Sequence, residues 1–372
     1  MRKYGLIAVC LLASALTFAA CGSSKKSSSS TSSTSTGAAS TGGAKGGKIG
    51  FLLPENQTAR YESSDHPLFV KDVKALCASC KVLYGNATQD ASKQQSQAEA
   101  MLNQGVKVLV LDPVDGAAAA AIVNQANAKK VPVISYDRLL LNSKPTAYAE
   151  FDSPSVGKLQ ATALTDKLKA DGKKGSIIMI NGDPADNNAK LFKQGAHSVI
   201  DNSGFKVAKE YDTPGWLPAK AQTEMDQAIS AVGKNGFVGV YAANDGTGGA
   251  AIAAMKGAGI KPSTRPTTGQ DAELAGIQRV LNGDQYVDIY KPIKPLAQTS
   301  AEWAVALLQG KSVSGTNTTE DNGKIKVPSK KIPVVPVTAD KVKSTVVADN
   351  YWKVSEICTS AYAAACKKYG IQ

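Results

Sequence analysis

The chain has 372 residues, 43% of them hydrophobic, and a formal net charge of +12. That is enough to bury a sizeable core and to divide into two lobes. The Lys and Arg residues are scattered, with no run of five and no interleaved aromatics, which argues against nucleic-acid recognition. The charge reads instead as solubility and attraction to an anionic surface.

The first residues read as an export signal. Arg2 and Lys3 precede an apolar stretch from Leu6 to Ala20, too short for a membrane span and suited to a signal core. It ends at Phe18-Ala-Ala-Cys21, which resembles a bacterial lipobox, so residues 1–20 are expected to be removed and Cys21 lipidated. Ordinary cleavage near Ala20 without a lipid is the alternative, since Phe18 stands where lipoboxes carry Leu. Residues 21–47 are the lipidated Cys and a Ser/Thr/Gly-rich tether. The expected place is therefore outside the cytoplasmic membrane, on a lipid anchor. Export permits disulfides. Of three pairings open to Cys77, Cys80, Cys358 and Cys366, the local ones, Cys77–Cys80 and Cys358–Cys366, are favoured. Cys77-x-x-Cys80 lies between a helix and a strand, the reverse of a thioredoxin-like order, and reads as a staple.

After the tether, strand-like and helix-like segments alternate. Strands are expected at Lys48–Pro54, Lys81–Asn86, Val106–Leu111, Val131–Tyr136, Ala147–Phe151, Ser176–Asn181, Phe205–Tyr211, Phe237–Ala242, Thr267–Gly269, Gln285–Tyr290 and Ile332–Thr338, with helices between most of them. Such βαβ alternation gives parallel sheets. About a dozen strands are too many for one open sheet, so the expected fold is α/β with two Rossmann-like lobes and a cleft between them. The first crossing falls near Glu150-Phe151-Asp152. The first lobe is assigned residues 48–150 plus 273–310, and the second 151–272 plus 311–372.

Several strands end in polar pairs, and ligands in parallel sheets bind outside the carboxyl ends of the strands. Val131-Pro-Val-Ile-Ser-Tyr runs into Asp137 and Arg138; Phe237–Ala242 leads to Asn244-Asp245; Gly269-Gln270 leads to Asp271; and Tyr290 leads to Lys291. Asp186, Asn187 and Asn188 open a helix, where one of them is expected to act as a cap. Trp216 and Tyr61 add flat faces. Carboxylates, amides and cations around an indole suit sugar hydroxyls and the C–H face of a pyranose. Each hydrogen bond nets about 1 kcal/mol, so eight or so reach roughly the 8 kcal/mol of a micromolar complex.

Catalytic patterns are weak. Only His66 and His197 are present, with no Gly-x-Ser-x-Gly, no His-x-x-x-His and no Asp-rich metal loop. Asp137 and Asp271 as a glycosidase pair would lack an activated water. The loose Gly246-x-Gly248-x-x-Ala251 follows an acidic pair that would repel a pyrophosphate, and it reads as helix–sheet packing. An enzyme, a metal and a cofactor are not expected.

The ordered segments Tyr136-Asp-Arg138, Phe151-Asp152, Asp186-Asn-Asn-Ala-Lys-Leu-Phe192, Gly215-Trp-Leu-Pro218, Asn244-Asp245, Gly269-Gln-Asp-Ala272 and Tyr290-Lys-Pro-Ile293 closely resemble the D-xylose-binding proteins of ABC sugar importers. These have the type I periplasmic-binding fold. The resemblance spans roughly residues 48 to 340. It implies capture of a monosaccharide, D-xylose first, by closure of two lobes joined by three hinge strands, with delivery to an ABC permease and its ATPase by a monomer. By the same resemblance Arg60, Tyr61, Asp137, Arg138 and Lys291 bind from the first lobe, and Asp186, Asn188, Trp216 and Asn244 from the second, with Asp271 near the hinge. Tyr61 stands where the family carries Trp, which admits a different pentose or a hexose. A membrane-tethered sensor that presents sugar to a receptor kinase is the other functional reading. The tail with Cys358 and Cys366 lies outside the resemblance.

Overall fold

The computed structural model describes residues 46–372; the signal segment, Cys21 and most of the tether lie outside the described residues. In chain order the elements are β1 (Lys48–Leu53), α1 (His66–Leu76), β2 (Lys81–Asn86), α2 (Ala91–Asn103), β3 (Val108–Leu111), α3 (Ala120–Ala128), β4 (Val133–Tyr136), β5 (Ala147–Phe151), α4 (Ser153–Ala170), β6 (Ser176–Asn181), α5 (Asn187–Ile200), β7 (Lys206–Asp212), α6 (Pro218–Val232), β8 (Gly239–Ala242), α7 (Asp245–Gly257), β9 (Thr268–Gln270), α8 (Leu274–Asn282), β10 (Val287–Tyr290), α9 (Ile293–Leu308), β11 (Thr318–Asp321), β12 (Lys326–Ile332), β13 (Val335–Val337), α10 (Val354–Ile357) and α11 (Ala363–Lys368).

The first lobe is a seven-stranded sheet in the order β11-β12-β5-β4-β3-β1-β2, parallel except for the β11–β12 hairpin. Its strands alternate sides, as a period of two requires. Ile49, Phe51 and Leu53 pack with Phe69 of α1 and Trp303 of α9, while Leu52 packs with Ala98 of α2 and Ile122 of α3. The second lobe joins β7-β6-β8 through a Val240–Thr267 bridge to β9, β10 and the antiparallel β13. Ile177 and Met179 face one helical layer, Ile178 and Ile180 the other. Between α4 and α5 the backbones touch: a Cβ at Gly157 would lie 1.9 Å from the Phe192 carbonyl oxygen.

The chain crosses between the lobes after β5, after β10 and after β12. This corrects the expected partition. Residues 273–290 belong to the second lobe, because β10 pairs with β9, and 293–332 to the first, because β12 pairs with β5 over Ser329–Ile332. The late strand expected over 332–338 is the shorter β13, and β11 and β12, which complete the first sheet before it, were not expected. Tyr61–Asp65 closes into one wide helical turn that runs into α1. Both local disulfides, Cys77–Cys80 and Cys358–Cys366, are formed. Among the described residues no helix is long and apolar enough to cross a membrane.

Candidate functional site

The polar strand ends of both lobes meet at one tight cavity of about 20 Å³. Arg60, Tyr61, Asp137, Arg138, Asp186, Asn188, Trp216, Asn244, Asp271 and Lys291 all line it, joined by Thr58, Phe192 and Gln270. None of these residues is more than 6% exposed, so the cavity is closed over.

Sharp backbone turns aim the side chains inward. Asp137, Trp216 and Asp271 have φ of 56°, 54° and 90°, a region that non-glycine residues enter rarely and that clusters at functional sites. The turn at Asp137 is held by its own carbonyl, which accepts from Tyr148 Oη at 3.0 Å and from Asn188 Nδ2 at 2.9 Å. Asp186 is the N-cap of α5, its Oδ1 accepting from the Asn188 amide at 2.8 Å. Asn244 caps α7 with a reciprocal Thr247 box. Gly248 is the packing glycine expected from sequence: a Cβ there would lie 2.9 Å from the Thr268 carbonyl oxygen.

Two arginines organise the charge. Asp65 grips Arg60 with two bonds of 3.0 Å, and Arg60 meets Asp137 at 3.2 Å and Asp271 at 3.5 Å. Arg138 pairs with Asp186 at 3.0 Å, with Asp112 and Glu55 behind it at 3.7 and 3.8 Å. The Tyr61 ring lies beneath both guanidinium groups, and its hydroxyl donates to Asp137 Oδ2 at 3.0 Å. Lys291 reaches Asp271 Oδ1 at 3.3 Å and sits 4.9 Å from the Phe192 ring. Burial acts to raise the Asp137 carboxyl, but Arg60, Lys291 and Arg138 outweigh it and hold Asp137 below its usual range. Burial pushes Asp112 well above that range.

Three cations and three carboxylates line the cavity, so its wall is formally neutral. That balance suits an uncharged polyol better than an ion. Asp137 Oδ1, Asn188 Oδ1 and Gln270 Oε1 are buried and accept no hydrogen bond from the described residues, and Asp271 Oδ1 has only its ion-pair contacts. Buried acceptors are rarely left so. Hydroxyl donors would complete all four.

The lobes also hold each other directly. Asn188 Nδ2 donates across the cleft to Glu150 Oε2 at 3.1 Å, and the Ala59 amide to Glu273 Oε1 at 2.9 Å. Gln89 donates to Asp183 on another part of the rim. Glu150, also bonded by Tyr148 and Ser153, is pushed up to about 8 by burial and then by Asp137. Neither histidine reaches the cavity: His66 stacks on Tyr84 at 3.6 Å, and His197 pairs with Asp201 and Glu210. Sequence reasoning missed Thr58, Phe192 and Gln270 as lining residues. Gln270 stood beside Asp271 and Phe192 at the end of the Asp186 motif; Thr58 carried no local signal.

Residues 49–312 match the family model of the periplasmic binding protein domain. The chain belongs to this family. It is 37% identical over 314 residues to the D-xylose-binding periplasmic protein of Escherichia coli, covering 83% of this chain and 92% of that one. It is 32% identical over 329 residues to a multiple sugar-binding periplasmic receptor of Rhizobium radiobacter, covering 84% and 92%. A carbohydrate transporter solute-binding protein from Chloroflexus aurantiacus, solved with D-glucose, superimposes with a TM-score of 0.76 at 30% identity, over 84% of this chain and 98% of that one. As in this family, the chain binds rather than catalyses.

Proposed function

We propose that this protein captures a neutral monosaccharide, D-xylose first, by closing its two lobes, and delivers it to an ABC permease and its ATPase from outside the cytoplasmic membrane. The observation that carries the reading is the neutral, closed cavity whose buried acceptors at Asp137, Asn188, Gln270 and Asp271 call for hydroxyl donors. All ten residues chosen from the sequence are ligand residues in this reading, with Trp216 offering the stacking face. Two relatives with D-xylose-binding names, from Escherichia coli and Haemophilus influenzae, support xylose. Two solved neighbours with D-glucose support a hexose as the second reading. Cys21 followed by the tether supports lipid anchoring.

Calorimetric titration of protein unfolded and refolded to strip any bound sugar separates these readings. Xylose is expected to bind near micromolar, about −8 kcal/mol, and tighter than ribose, arabinose, glucose and galactose. Tighter binding of glucose would replace the pentose with a hexose. Silence across all five sugars would remove the sugar reading.

A further inference from the structure

The chain after β13 lies beyond the family match, which ends at residue 312, and it builds a cluster of its own. Val342, Val346, Ile357, Cys366 and Ile371 are buried with Ile277, Val280 and Leu281 of α8 and with Tyr290 of β10. The Cys358–Cys366 disulfide ties α10 to α11 within that cluster.

From there the tail reaches the back of two cavity residues. The Trp352 indole N–H donates to the Ala272 carbonyl at 2.8 Å. Ala272 follows Asp271, and their φ values of 50° and 90° put two successive non-glycine residues in left-handed backbone. Such a turn persists only where its surroundings over-determine it. Here the Asp288 carboxylate accepts from the Ala272 amide and the Asp245 carboxylate from the Glu273 amide, each at 2.9 Å. The Asp271 amide donates to the Ile289 carbonyl at 3.0 Å. Trp352 supplies a fourth hold, and it alone comes from the tail. Nearby, Asp349 accepts from the Tyr290 hydroxyl with its carboxylate and from the Lys294 ammonium with its carbonyl. These two residues flank Lys291, the partner of Asp271. Tyr351 fills the space between, 5.3 Å from the Tyr290 ring and 5.5 Å from the Trp352 ring.

We propose that Trp352, anchored by Asp349 and Tyr351, is a positioning residue of the binding site: its N–H holds the Asp271–Ala272 turn so that the Asp271 carboxylate faces the ligand. The C-terminal tail is then part of the binding machinery rather than a cap on the second lobe. This rests on the sugar reading above.

The test is calorimetry with the tightest sugar of the panel on the wild type, Trp352→Phe, Asp271→Asn and the double variant, with thermal unfolding in the absence of sugar. Trp352→Phe keeps an aromatic ring and removes the donor. It is expected to weaken binding about fivefold, the worth of one hydrogen bond. On the Asp271→Asn background it should change affinity little, because the group it positions is already altered. Tyr290→Phe, which releases Asp349, should weaken binding in the same direction and gives a second route if Trp352→Phe fails to fold. Unchanged affinity in both Trp352→Phe and Tyr290→Phe, or an effect that persists in full without the Asp271 carboxylate, overturns the proposal while sugar binding stands. Silence of the wild type overturns the sugar reading and this proposal together.

Discussion

Arg60→Ala is expected to abolish sugar binding and to destabilise the fold by about 3–5 kcal/mol, the usual effect of removing one partner from a buried ion pair. Arg60 is 2% exposed and faces Asp65, Asp137 and Asp271 at once. Without it, three buried carboxylates share a site with one fewer cation, and Asp65 and Asp137 both move up. The Asp65 carboxyl is already raised by burial despite Arg60. A carboxyl whose folded pKa exceeds its unfolded value binds more protons in the folded state. Its contribution to stability therefore falls as pH rises from the unfolded value to the folded one. Asp137 in the wild type has the opposite sign: its folded value is depressed, so its contribution is present above the unfolded value and is lost on acidification. The deficit of Arg60→Ala should thus be largest near neutral pH and shrink towards pH 5. Denaturant unfolding of both proteins at the two pH values checks this, and a deficit that grows on acidification would contradict it.

Trp216→Ala is expected to weaken sugar binding roughly a hundredfold, from loss of one aromatic face and one hydrogen bond. It should also cost about 3–5 kcal/mol of stability, as large aromatic truncations in cores do. The ring packs against Gly182, where a Cβ would fall 2.0 Å from it, so this glycine is what admits the indole. Its Nε1 donates to Asp186 Oδ2 at 3.1 Å, the oxygen that also pairs with Arg138. Trp216→Phe separates the two contributions: it keeps a face and loses the donor, for a loss of about fivefold. If Phe loses as much as Ala, the indole acts through Asp186 and Arg138 and not by stacking. Titration and unfolding of the two variants decide this.

Part of the cavity was legible because Asp137-Arg138, Asn244, Gln270-Asp271 and Lys291 stand at or just past the ends of buried strands. A β-branched run ending in Asp137-Arg138, or an apolar strand ending in Asn244, carries both the element and its polar tip. The supporting layer was not legible. Glu55, Asp112 and Glu150 reach Arg138 or Asn188 only through tertiary contacts. The lobe partition failed for a related reason. β11 and β12 read Thr-Thr-Glu-Asp and Lys-Val-Pro-Ser-Lys-Lys-Ile, with too little apolar alternation to announce that β12 pairs with β5 and β11 with β12. In the tail, helices of four and six residues are too short to show a period, and only the cysteine pair marked structure there.

The most direct measurement is small-angle X-ray scattering of the stripped protein before and after saturating xylose. Capture by closure predicts a smaller radius of gyration with sugar, with Trp216→Ala requiring much more xylose for the same change. Scattering that does not respond to a xylose concentration at which calorimetry shows the site filled would contradict it.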